Sequence, residues 1–300
     1  MSPLSPLDTL ERRELLVVTG KGGVGKTAIS ATLGRALAEA GRRTLVVEVD
    51  PRENVHRMLG IPPSGGEILP AGPRLWVQNL KPRQVLDQVV REQVKIEFLV
   101  QRVLSSSGYE QFSAAAPGLK ELAVLGHALR LHRGRELGAP ELDVVILDAP
   151  ATGHGVTLLT APRLVSEVIH QGPFGRMAGE LADWMADPAR CGVVVVTQAE
   201  EMPVEEALEL VDTLADRFGR GPELLVVNGL YPPLDGAEGG DPADPAIDLW
   251  RRRRGINDRE LAELKAHWQG PTVELPQLPL DSGPELIAVL KTCLLERPWS

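Results

Sequence analysis

What most limits the fold of this chain is a series of short apolar, β-branched runs that recur between longer stretches of helical pattern. They are ELLVVT (14–19), TLVVEV (44–49), LDVVILDA (142–149), GVVVVTQ (192–198), ELLVVN (223–228) and TVEL (272–275). Near-continuous Val, Leu and Ile without polar alternation is what a parallel strand buried on both faces requires, and the intervening helices supply the crossovers. The expectation is an α/β chain with a doubly wound, mostly parallel sheet. Between the second and third runs lie about 90 residues, far more than one crossover needs, with RLWVQNL (74–80) as the strongest further strand signal. A single domain over 1–300 is therefore expected to carry a mostly helical insertion at about 83–135 and a helical segment at about 161–187. Residues 231–250, rich in Pro, Gly and Asp, read as a mobile surface loop.

The first run leads into GKGGVGKTA, which comprises Gly20, Lys21, Gly22, Gly23, Val24, Gly25, Lys26, Thr27 and Ala28. Glycines in such a loop let backbone N–H groups point at the α- and β-phosphates of a nucleotide. The lysine, Lys26, reaches the β- and γ-phosphates, and the Thr27 hydroxyl binds Mg²⁺. Downstream, Ile29, Leu33 and Leu37 fall on one helical face, and Gly41 stops the helix. Strand, loop and helix together predict a P-loop NTPase fold that binds a nucleoside triphosphate with Mg²⁺. Lys21 is surplus to that pattern.

Acidic residues end two of the strands. Asp50 follows the second run, where it can orient or deprotonate the attacking water and join the Mg²⁺ shell, or simply cap the following turn. Asp148 follows four apolar residues, the Walker B pattern, and supports Mg²⁺ directly or through a water. The net charge of -9 and the pI near 5.3 argue against nucleic acid or an anionic membrane as partner. Cys191 and Cys293 are far apart in sequence, with no metal-ligand spacing, and are expected to be reduced thiols of a cytoplasmic protein. With no secretory-type leader and no apolar stretch of about 18 residues, no integral membrane span is expected.

KGGVGKT, with its early lysine, resembles the deviant Walker A motif of the SIMIBI class of P-loop ATPases. DAPATGHGVTLL (148–159) resembles the switch II segment of that class's ArsA and Get-pathway branch. EVDPRENV (48–55) is similar to its switch I, and PGLKEL (117–122) to a further family segment. VVNGLYP (226–232) is similar to the strand end whose asparagine contacts adenine, here Asn228. AEEMPVEEALEL (199–210) resembles the stretch in which a glutamate faces the nucleotide across the dimer, which points to Glu200, and LPQLP (275–279), containing Pro276, sits where the family's adenine loop lies.

The resemblance implies a Mg-dependent ATPase that works as a homodimer, or as a heterodimer with a paralogue, and couples its nucleotide state to a protein client of unknown identity. It implies that Lys21 reaches across the interface to the partner's phosphates, an arginine finger's role played by a lysine. A positioning ATPase like MinD or ParA, or a weakly active partner subunit, are the alternatives. The chain departs from the branch in lacking both its zinc-clamping CxxC and a metalloid-binding cysteine triad, and NLKP (79–82) replaces an acidic segment. Met177, Leu181 and Met185 share a helical face with the pattern of either a client groove or core, and Arg251–Arg254 read as a solvated surface run.

Overall fold

The computed structural model describes residues 6–50, 52–93, 97–107, 118–136, 138–150, 155–233 and 244–296. Its sheet has eight strands: β1 (Leu15–Thr19), β2 (Thr44–Glu48), β3 (Leu69–Gly72), β4 (Leu75–Asn79), β5 (Val144–Asp148), β6 (Cys191–Thr197), β7 (Leu224–Leu230) and β8 (Thr272–Pro276). Their order is β3-β4-β2-β5-β1-β6-β7-β8, and every pair except β3–β4 is parallel. β4 is the RLWVQNL run. The antiparallel edge strand β3 escapes the sequence reading because it contains Pro70 and Gly72 and alternates between half-buried and exposed positions. An edge strand needs neither apolar faces nor every N–H.

Helices cover both faces. They are α1 (Pro6–Leu10), α2 (Lys26–Glu39), α3 (Asn54–Leu59), α4 (Pro82–Gln93), α5 (Glu97–Leu104), α6 (Leu119–His132), α7 (Gly155–Val168), α8 (Gly172–Ala186), α9 (Glu201–Phe218), α10 (Pro245–His267) and α11 (Pro284–Glu296). Successive strand residues point to opposite faces, so Leu15, Val17, Val145 and Leu147 join one core while Leu16, Val18 and Ile146 join the other. The first core is closed by Leu122 and Leu125 of α6, Leu158 of α7, Leu181 and Trp184 of α8 and Leu210 of α9. The second is closed by Ile29, Leu33 and Leu37 of α2 with Ile287 and Leu290 of α11. α2 comes close to the sheet because Gly34 has no side chain: a Cβ there would meet Val46 Cγ2 at 2.5 Å.

The stripe on α8 is core. Leu181 and Met185 are buried, and Met177 packs over Gly126 of α6. Trp184 is fully buried and donates through Nε1 to Glu14 Oε2 at 2.7 Å, which ties α8 to the start of β1. Another tie is His127 of α6, whose Nε2 lies 2.9 Å from Gln78 Oε1 on β4; burial pushes this imidazole down to about 4, against the pull of Glu136 and with Arg130 beside it.

The expected loop at 231–250 gives way to helix at Pro245, because the Asp244 side chain caps the Ala246 N–H at 2.9 Å. Residues 234–243 of that segment lie outside the described residues, as do Pro51, Pro117 and 151–154 of the switch-like segments. The arginine run lies on α10, where Arg252 and Arg254 pair with Asp248 and Asp258, each at 2.7 Å. Among the described residues no helix is long and apolar enough to cross a membrane.

Candidate functional site

Two backbone contacts fix the glycine-rich loop that follows β1. Gly20 has φ +142°, and a Cβ there would lie 2.0 Å from the Val196 carbonyl oxygen of β6, so only glycine fits. Gly25, at φ +97°, lies against Asn228 of β7, whose Nδ2 donates to the Val24 carbonyl at 2.9 Å. The loop is thus held from β6 and β7 while Gly22 and Gly23 stay exposed. No described side chain caps the N-terminus of α2, so its first amides are free for an anion.

Lys26 is 6% exposed and folds back over the loop, donating to the carbonyls of Gly20 at 3.0 Å and Lys21 at 2.9 Å. Burial lowers its ammonium's pKa, and the charges of Asp148 and Glu206 oppose that shift. Lys21, expected to reach away from its own subunit, has its Nζ 2.7 Å from Glu206 Oε1 of the same chain.

The register of four strands sets the acidic wall. Asn79 of β4 lies beside Glu48 of β2, Glu48 beside Asp148 of β5, and Asp148 beside Val18 of β1. Asp148 accepts from Thr27 Oγ1 at 2.7 Å and Ser30 Oγ at 2.9 Å, and burial pushes its carboxyl up to about 6. Glu48, 1% exposed, accepts from the N–H groups of Asn54 at 2.8 Å and Val55 at 3.1 Å; burial pushes it up to about 7. Asp50 Oδ1 accepts from Arg52 N–H at 2.7 Å, and its own carbonyl accepts from the Asn79 amide.

Loop and acidic wall enclose one cleft of about 300 Å³ lined by Gly23, Lys26, Thr27, Glu48, Asp50 and Asp148, among others. It opens at the carboxyl ends of the central strands, where ligands of such sheets bind. The described residues contain no cluster of three His, Cys, Asp or Glu side chains that could hold a metal alone. Mg²⁺ nevertheless fits the donor set. It keeps several waters and takes only one or two protein oxygens beside phosphate, which Thr27 and Asp148 can supply.

The base-side residues do not line that cleft. Pro276 ends β8 opposite Leu230, and the neighbouring Gln277 N–H donates to the Leu230 carbonyl at 2.7 Å. Glu200 precedes α9 and lies 3.2 Å from Arg253 of α10. Sequence reading passed over Ser30, Glu48, Asn79 and Glu206. Ser30 alone had a readable signal, since it falls three residues after Thr27 on the same helical face.

A family model described as anion-transporting ATPase matches residues 13–178. The chain is 30% identical over 284 residues to an arsenical pump-driving ATPase of Acidiphilium multivorum, covering 89% of this chain and 45% of that protein. It is 29% identical over 210 residues to ATPase BagA of Mycobacterium tuberculosis, covering 67% of this chain and 61% of that one. A putative arsenical pump-driving ATPase of Chlorobaculum tepidum is 25% identical over 293 residues, covering 84% of this chain and 67% of the relative. The chain thus spans less than two thirds of the first two relatives' lengths.

Proposed function

The chain belongs to the anion-transporting ATPase family, and on that premise we propose that it is a cytoplasmic, Mg-dependent ATPase that works as a dimeric switch. The observation that carries this reading is the convergence of Lys26, Thr27, Asp50 and Asp148 on one cleft at the strand ends. In hydrolysis a water oxygen bonds to the γ-phosphorus as the bond from the γ-phosphorus to the β–γ bridging oxygen breaks; the bridging oxygen leaves with ADP, and the water's protons leave with the released phosphate or pass to solvent. Phosphoryl transfer asks a protein mainly for positioning and charge stabilisation.

Lys26 exchanges its two loop carbonyls for β- and γ-phosphate oxygens, and the free amides of α2 receive the remaining phosphate charge. The chemistry of the Mg²⁺ ion, once it is bound, would be neutralisation of the charge that develops on the phosphates. Thr27 and Asp148 would hold it, Asp148 through a water. The Asp50 carboxylate accepts a hydrogen bond from the attacking water and aims it. Asn228 keeps the loop in register with β7 beside the base-binding side, to which we assign Pro276 as well.

Lys21 acts from the other subunit in this reading. Its attachment to Glu206 supports a resting form in which the lysine is not spent on its own phosphates. A link to a client through the helical layer is supported by two connections: Glu48 holds the start of α3, and Asp148 ends the strand that precedes α7.

The test is phosphate release by the purified chain with ATP, with and without Mg²⁺, over a range of chain concentrations. The expected result is Mg-dependent turnover whose specific rate rises with concentration toward a plateau. A rate per chain that does not change with concentration in a monomeric protein would contradict the dimeric switch.

A further inference from the structure

α9 starts directly after β6, the strand beside β1, so its first turns stand next to the phosphate loop. The rotation of α9 is fixed by Val204, Ala207, Leu210 and Val211, all buried. That leaves Glu206 at the edge of the buried face, with its side chain 41% exposed and its Oε1 2.7 Å from Lys21 Nζ. Lys21 is thereby held at both ends. Lys26 pins the backbone by taking the carbonyls of Gly20 and Lys21, while Glu206 takes the tip.

We propose that Glu206 is a positioning residue: its carboxylate stands in for phosphate in the nucleotide-free chain, keeping Lys21 on its own subunit until MgATP displaces it. The argument is one of charge. Glu206 pairs with Lys21 directly and lies close enough to favour the protonated form of Lys26, so one carboxylate faces both lysines of the loop. Incoming triphosphate brings more negative charge to the same place, draws Lys26 off the loop carbonyls and repels Glu206. Lys21 is then free to turn outward. This step rests on the reading of Lys21 as a residue that acts across a dimer.

A partly exposed ion pair is worth little, so the effect expected is modest: Glu206→Gln should tighten MgATP binding by about two- to fivefold at low salt. The experiment is titration of MgATP into four proteins: parent, Glu206→Gln, Lys21→Ala and the double variant. Each is run at low salt and at about 1 M salt, where screening shortens the reach of charges to roughly 3 Å. The gain in affinity from Glu206→Gln should fade at high salt, and it should be smaller in the Lys21→Ala background, where no Lys21–Glu206 pair remains to be broken. A merely structural glutamate would show neither behaviour.

Unchanged or weaker binding by Glu206→Gln at low salt would overturn the proposal, and so would an equal gain in the Lys21→Ala background. The dimer reading fails separately: parent-like turnover of Lys21→Ala would sink the cross-subunit role of the lysine whatever the four affinities show.

Discussion

Lys26→Met should lower ATP turnover by about a thousandfold, the scale on which removing a preorganised charge at a phosphoryl or oxyanion centre acts. It should do so without unfolding the chain. Lys26 is 6% exposed, and burial already works against its charge. The substitution keeps an unbranched side chain of similar length, relieves that desolvation and gives up two bonds to loop carbonyls. These terms oppose one another, so urea unfolding of the nucleotide-free variant should stay within about 1 kcal/mol of the parent. The rise in melting temperature that MgATP gives the parent should disappear. Phosphate release and paired melting curves check both halves. A variant that loses turnover because it has unfolded would refute the account of Lys26 as a residue kept for its charge at the phosphates rather than for the fold.

The second large effect is on stability and lies at the other end of the sheet. Trp184→Ala should cost about 3–5 kcal/mol in urea unfolding, the range for deleting a buried aromatic side chain. Trp184 is fully buried, stacks on His132 with ring centroids 6.0 Å apart, and is bonded to Glu14. Glu14 keeps Arg190 at 2.9 Å after the change, so its carboxylate is not left alone and the loss is mainly one of packing. Trp184→Phe should cost less, about 1–2 kcal/mol, because it keeps much of the apolar contact and loses the hydrogen bond. A loss below about 1 kcal/mol for Trp184→Ala would mean that α8 does not depend on the sheet for its place.

These two sites differ in how far they could be read beforehand. The strands were legible because burial on both faces demands an unbroken apolar run, a pattern that β3 at the edge is free to ignore. Lys26, Thr27 and Asp148 could be picked out beforehand because their types and spacing match a phosphate loop and an acidic strand end, and all three line the cleft. Glu48 was not, since in sequence it is one polar residue inside an apolar strand, and only the register with Asp148 and Asn79 gives it a place on the acidic wall. Glu206 is one of four glutamates between Glu200 and Glu206, and what singles it out is the rotation of α9. The α8 stripe shows the same limit from the other side: an apolar face is equally the signature of a groove or of core, and only the layer packed against it decides.

The central claim is that each catalytic centre is completed by a lysine from a second copy of the chain. Mixing two inactive variants, Lys21→Ala and Lys26→Ala, tests it most directly. In a mixed dimer the centre on the Lys21→Ala subunit keeps its own Lys26 and receives Lys21 from its companion. If subunits mix at random, the account predicts recovery to about a quarter of parent turnover at equal amounts, from half of the dimers carrying one complete centre each. A mixture no more active than the sum of its two parts would contradict it, and would place Lys21 in the service of its own subunit.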